Sequence, residues 1–126
     1  MNTNVIDQTA EKQGQDALAL TFKAMAHPAR LAILEMLRED EACVCHLEAA
    51  LGFRQAYISQ QLAVLRDANL VQSRQDGWNI YYSLTDDKLP ALVDAFYAAL
   101  LPGQRTEVIK NPPDCPCPRC NPAPQT

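Results

Sequence analysis

Between two short helical segments this chain leaves only a glycine and two further residues, Gly52, Phe53 and Arg54. Upstream, Val44, Leu47, Ala50 and Leu51 recur at the spacing of one helical face; downstream, Ile58, Leu62 and Leu65 do the same. Gly52 suits the left-handed cap that ends a helix, and a link this short forces the two helices to pack on each other. The pattern is a helix-turn-helix with the second member as the recognition helix. The rest of the core must be built around that pair.

Two further helices precede it. Leu18, Phe22 and Met25 share one face of a helix beginning near Asp16; His27-Pro28 breaks it, and Pro28 suits the first turn of the next, where no backbone donor is needed. Leu31, Leu34 and Leu37, with Ile33 at the flank, continue that second helix up to the acidic Glu39-Asp40-Glu41. After Asn69 the period drops to 2. Trp78, Ile80, Tyr82 and Leu84 alternate with Asn79, Tyr81 and Ser83, Val71 to Gln75 supplies a partner strand, and Asp76-Gly77 signals the hairpin turn. A last helix is expected from about Asp86 to Leu101, with Leu89, Leu92, Val93, Phe96 and Leu100 on one face and Pro90 tolerated near its start. The fold class is mainly α with a small β-hairpin, in the order α-α-α-α-β-β-α. Residues 16–102 form this domain, 1–15 are polar, aperiodic and expected as a flexible arm, and 103–126 form a Pro/Cys-rich tail expected to be flexible.

With 126 residues the chain forms one domain, short enough for dimerisation to help stabilise it. No apolar run reaches the roughly 20 residues of a membrane span, and Met1 to Gln15 lacks the features of a signal peptide, so the expected location is cytoplasmic. The net charge of −4 argues against a phosphate-binding surface, but its distribution does not. Residues 52–84 carry Arg54, Arg66 and Arg74 against only Asp67 and Asp76, and this one cationic third is the one that should meet DNA.

Five cysteines fall in two clusters, Cys43-Val44-Cys45 just before the helix-turn-helix and Cys115, Cys117 and Cys120 in the tail. In a reducing compartment such clusters more often bind metal or respond to oxidants than form frameworks of disulfides. Soft thiolates select thiophilic ions such as As(III), Cd(II), Pb(II), Zn(II) or Cu(I). Within a regular helix residues i and i+2 point about 200° apart, so Cys43 and Cys45 can converge only where the helix begins or is distorted. A helix start also favours the thiolate form. Two sulfurs are too few for a tight site, and one or two of Cys115, Cys117 and Cys120 are expected to complete it. The plainer reading of Cys43 and Cys45 is a pair of small core residues; His46 reads as a surface residue rather than a ligand. The wing carries Arg74, Gln75 and Asn79 within reach of backbone or minor groove, while Trp78 near its tip reads equally well as packing. An enzyme is excluded by the shortage of catalytic groups: His27 and His46 are the only histidines, and no Gly-rich phosphate loop occurs.

Several segments together resemble the ArsR/SmtB family of winged-helix metal-sensing repressors: Ala26-His27-Pro28-Ala29-Arg30-Leu31-Ala32-Ile33-Leu34, Cys43-Val44-Cys45-His46-Leu47, Ile58 through Arg66, and Asn69-Leu70-Val71. The resemblance implies a winged helix-turn-helix homodimer, joined through its first and last helices, on palindromic double-stranded operator DNA. It implies release when a thiophilic ion, As(III)/Sb(III) or Cd, Pb or Zn, binds Cys43 and Cys45. By family position Arg54, Gln55, Tyr57, Ser59 and Gln61 are the DNA contacts, followed by Gln60. Glu48 stands where some arsenite sensors carry a third cysteine. Lys88, Ala99 and Pro102 stand where a second family zinc site on the last helix would take ligands beside Asp86, so that site is expected to be absent. A thiol-based redox or persulfide-sensing repressor of the same fold is the alternative.

Overall fold

The structure, a computed structural model, describes residues 5–105, with side chains from residue 13 onward. Five helices and three strands follow in the order α1 (Val5–Met25), α2 (Pro28–Met36), β1 (Ala42–Cys43), α3 (Val44–Leu51), α4 (Gln55–Asp67), β2 (Val71–Asp76), β3 (Asn79–Leu84) and α5 (Leu89–Leu100). His27 ends the run of α1 and caps α2: its backbone is extended, and its Nδ1 accepts the Ala29 N–H at 3.1 Å. That satisfies one of the donors a helix start leaves open, and Pro28 at the first position has none to satisfy. Gly52 adopts φ 76°, the left-handed cap the short link requires, and its N–H bonds the Glu48 carbonyl.

Three elements differ from the sequence reading. Helix α1 begins at Val5 rather than near Asp16, so residues 5–15 of the expected arm are helical. Alanine, glutamate, lysine and glutamine there are good helix formers, and extending an existing helix backwards costs far less than nucleating one. The hairpin is joined by a third strand, giving the order β1-β3-β2, all antiparallel. Two residues are too few to show a period, and β1 exists only because β3 offers it an edge. Helix α5 begins at Leu89; Asp86 instead accepts the Lys88 N–H at 2.8 Å, making the turn into the helix. Of the expected tail, only the first residues through Arg105 are described.

Most of the core comes from the helix faces that the periodicity marked, but on α2 Leu31 is exposed while Met36, outside the marked face, is buried. Ile33, Leu34 and Met36 of α2, Leu47 of α3, and Ile58, Leu62 and Leu65 of α4 close around Ala42 and Val71, with Tyr82, Leu84, Leu89 and Val93 packed on the rim. Helix α5 buries none of its residues completely. Leu92, Phe96 and Leu100 of α5 and Leu18, Leu20 and Phe22 of α1 stay exposed, although Phe22 and Phe96 meet edge to face at 6.1 Å. A groove of about 600 Å³ opens between α1, α2 and α5, lined by Phe22, Leu31, Val93 and Phe96 among others.

What holds α5 in place is partly ionic. Arg38 donates to Asp94 at 2.9 Å and to Glu35 at 3.1 Å; Arg105 donates to Glu35 at 2.7 Å, to Asp94, and lies over Tyr97. The Arg38 and Arg105 guanidiniums hold the Asp94 carboxyl below the usual carboxylate range. Its stabilising share is therefore present above the ordinary aspartate pKa and lost as pH falls through the lower folded value.

Leu65 is completely buried, and Leu65→Ala is expected to cost about 2–5 kcal/mol in urea unfolding. Asp94→Asn is expected to lower the urea midpoint at pH 7, with the gap to the parent protein closing as pH is taken progressively below about 4. A gap independent of pH would show that the carboxylate charge contributes nothing.

Candidate functional site

Cys43 ends β1 and immediately precedes α3, with an extended backbone (φ −85°, ψ 166°), while Cys45 is the second residue of the helix. The change from strand to helix falls between them. That is the geometry in which residues i and i+2 can converge, and the two sulfurs lie 2.7 Å apart. This is beyond the roughly 2.05 Å of a disulfide bond. Cys43 is buried with Tyr81 in a small cluster of its own, apart from the main core, and half-buried Cys45 packs on it.

Strand pairing connects the thiols to the wing. Cys43 stands opposite Tyr81 of β3, and Tyr81 stands opposite Arg74 of β2. The Arg74 guanidinium lies 4.8 Å from the Tyr81 ring centre and donates through Nε to Glu41 Oε2 at 2.8 Å, with a second bond from Nη2 to Glu41 Oε1. Glu41, beside Arg74, raises the guanidinium's pKa further above its ordinary value. A line of thiol, phenol ring, guanidinium and carboxylate thus crosses the sheet, and its two ends are only two residues apart in sequence. The sequence reading placed Arg74 at DNA; here its donors are turned toward Glu41, with Asp76 3.8 Å away. The alternation of Tyr81 and Tyr82 implies that at least one of them is core, and Tyr81 is buried; its link to Glu41 has no sequence signal, because it depends on a strand of two residues.

His46 is completely buried, which corrects the surface reading. The expected inner face of α3 holds, with Leu47 in the main core and Val44, Ala50 and Leu51 packed against it, and His46 is buried beside Leu47 in addition. Glu48 is exposed. Among the described residues no three His, Cys, Asp or Glu side chains gather as a metal site. Cys115, Cys117 and Cys120 lie outside the described residues.

On α4, Arg54, Gln55, Ser59 and Gln60 are exposed along one side, and Gln61 is half-buried beside them. Arg54 sits at the helix start with no side-chain cap bond of its own. Tyr57 is drawn inward, its ring against Phe53 at 5.2 Å and its hydroxyl 3.4 Å from His27 Nε2. It ties the recognition helix to the α1–α2 corner. In the wing, the Gln75 amide donates to the Gly77 carbonyl at 3.2 Å and Asn79 is half-buried. Trp78 is fully exposed, at 102% of its reference surface, so the packing reading fails.

Tyr81 covers Cys43, so Tyr81→Ala is expected to raise the alkylation rate of Cys43 on the order of tenfold, measured by peptide mass spectrometry, with Cys45 changing less. Equal acceleration at both thiols would show general loosening rather than loss of this cover.

A family model described as bacterial regulatory protein, arsR family, matches residues 27–73. A biofilm growth-associated repressor of Agrobacterium fabrum is 44% identical over 81 residues, which is 64% of this chain and 69% of the relative. Reduced HlyU of Vibrio cholerae superposes with a TM-score of 0.64 at 29% identity, over 74% of this chain and 98% of that one. The homodimeric winged helix-turn-helix DNA-binding domain of a possible ArsR-family regulator of Mycobacterium bovis gives 0.69 at 27% identity, over 85% and 99%. The relatives are transcription regulators, in keeping with the exclusion of an enzyme. The chain belongs to the arsR family of bacterial regulatory proteins and is a DNA-binding transcription regulator of winged helix-turn-helix fold.

Proposed function

We propose that this regulator is a homodimeric repressor that leaves its operator when a thiophilic ion is captured by Cys43 and Cys45. The observation that carries this reading is the 2.7 Å approach of the two sulfurs at the strand-to-helix change. Cys43 belongs to β1 and Cys45 to the first turn of α3, so an ion that fixes both sulfurs ties the strand to the start of the helix.

Dimerisation is supported by the uncovered apolar side of α1 and α5, where Phe22, Leu92, Phe96 and Leu100 face outward. The Mycobacterium bovis neighbour is described as homodimeric. A two-fold dimer places two recognition helices on a palindrome, in successive major grooves. Arg54, Gln55, Ser59, Gln60 and Gln61 supply the contacts: glutamine pairs with adenine, arginine with guanine, and the hydroxyl with bases or phosphates. Tyr57 positions the helix through His27 and Phe53.

The donor set suits soft ions by type, and it needs more sulfur than the pair supplies. One or two of Cys115, Cys117 and Cys120 complete it, three thiolates for As(III) or Sb(III), four for Cd(II), Pb(II) or Zn(II). From Arg105 to Cys115 is ten residues, roughly 33–36 Å when extended, a reach that does not restrict the tail to one protomer. A bound ion contributes fixed positions for its thiolate ligands. Held there, Cys43 acts on two routes: through α3 and the Gly52 turn to α4, and through Tyr81 and Arg74 to the wing. The two arrangements of this unit must differ in affinity for DNA for release to follow.

The same pair favours one alternative. Oxidation of Cys43 or Cys45 with a tail cysteine, two electrons and two protons passing to an oxidant, would form a disulfide; a polysulfide would accept the same electrons and protons, leave one of its sulfur atoms between the two cysteines and depart as hydrogen sulfide, and either link would move the same strand.

Cys43→Ser and Cys45→Ser are expected to bind operator in a gel-shift assay and to resist release by arsenite, Cd(II) or Pb(II). Unchanged ion-driven release from the double variant would sink the ion reading; release by mild oxidant without thiolate charge-transfer bands would favour the redox one. A chain cut after residue 110 that binds ions equally well would remove the tail from the site.

A further inference from the structure

The hairpin β2–β3 leaves the core at its base, where Val71 is buried and Leu84 packs on the rim, and every residue from Gln72 to Trp78 is exposed. Five residue steps from Val71 to Asp76 carry the tip about 16 Å outward. Asp76 pairs with Asn79, so the loop is two residues, Gly77 and Trp78. Gly77 has φ 60° and Trp78 does not share a positive φ, the pattern of a type II′ turn. The Gln75 amide bonded to the Gly77 carbonyl braces it. A narrow, braced tip therefore presents one large ring, completely uncovered. Tryptophan is highly buried on average in folded proteins and is enriched among the residues that anchor interfaces.

Residues 71–84 hold only two charges, Arg74 and Asp76, and Arg74 is engaged by Glu41 with Asp76 nearby. This wing is electrically neutral. It cannot grip a duplex mainly through phosphate neutralisation, so its contribution must come from contact within a groove. The major groove of a half-site is filled by α4, whereas the minor groove, about 6 Å wide, admits an indole edge-on.

We propose that Trp78 is the wing's DNA-reading residue, entering the minor groove flanking each half-site. The ring packs on deoxyribose, and Nε1–H donates to adenine N3 or thymine O2. The guanine 2-amino group occupies that space, so A·T pairs are preferred there. This rests on the DNA-binding regulator reading and adds to it a specific contact and a flank preference.

Trp78 is the only tryptophan in the chain, so its emission reports this contact alone. The probe is a duplex enriched from a random library by the full-length protein, labelled for anisotropy. The expected result is a blue shift and loss of acrylamide quenching on adding duplex. Trp78→Ala should weaken binding by about tenfold, with an unchanged salt slope and an unchanged thermal melt, and Trp78→Phe should recover part of the loss. Replacing G·C by inosine·cytosine in the flank, which removes the 2-amino group, should tighten binding of the parent and not of Trp78→Ala. Arg54→Ala, by contrast, should flatten the salt slope. A duplex bound tightly while Trp78 stays as quenchable as in the free protein overturns this proposal and leaves the regulator reading intact. A blue shift on concentrating the protein without DNA overturns it in favour of a second copy of the chain. Failure to enrich any duplex overturns both readings.

Discussion

The pairing of β1 with β3 is the contact on which the functional geometry depends. Two residue pairs, Ala42 with Tyr82 and Cys43 with Tyr81, fix where extended chain ends and α3 begins. Moving that boundary by one residue would send one of the two thiols to the other side, because strand and helix turn successive side chains by different angles. The same pairing sets Tyr81 over Cys43 and brings Glu41 to Arg74. Thiol site, helix-turn-helix entry and wing are thus parts of one small unit, attached to the main core through Ala42, Leu47 and Val71.

This arrangement suits a switch. A metal site or disulfide deep in the core would resist movement, since a close-packed interior tolerates little change in shape. Cys43 instead lies beside the core, on an edge strand of two residues, with Cys45 only half-buried. On the proposed reading, a modest change there would have two paths to DNA. One is mechanical, through a short helix and the left-handed turn at Gly52; the other runs through the Tyr81 ring to a guanidinium held on the wing.

The wing illustrates how electrostatics and shape divide the work of binding. A net charge of −4 leaves little general attraction to DNA. The exposed cations near the helix-turn-helix are Arg54 and Arg66, and Arg74 is occupied within the protein. On the proposed reading, specific contacts on α4 and an aromatic tip would carry a larger share of recognition than phosphate attraction does.

The sequence by itself determined the helix order, the Gly52 turn, the hairpin and most of the core, because each is written in a local period or in one residue with a special backbone requirement. It also determined that Cys43 and Cys45 converge only at a helix boundary. Only the tertiary structure decided where that boundary lies, that His46 turns inward, that Arg74 faces Glu41 and that Trp78 is left uncovered. Those outcomes depend on residues far apart in the chain meeting across a sheet. A two-residue strand carries no period of its own, and a side chain's surroundings are set by whatever the rest of the fold brings to it.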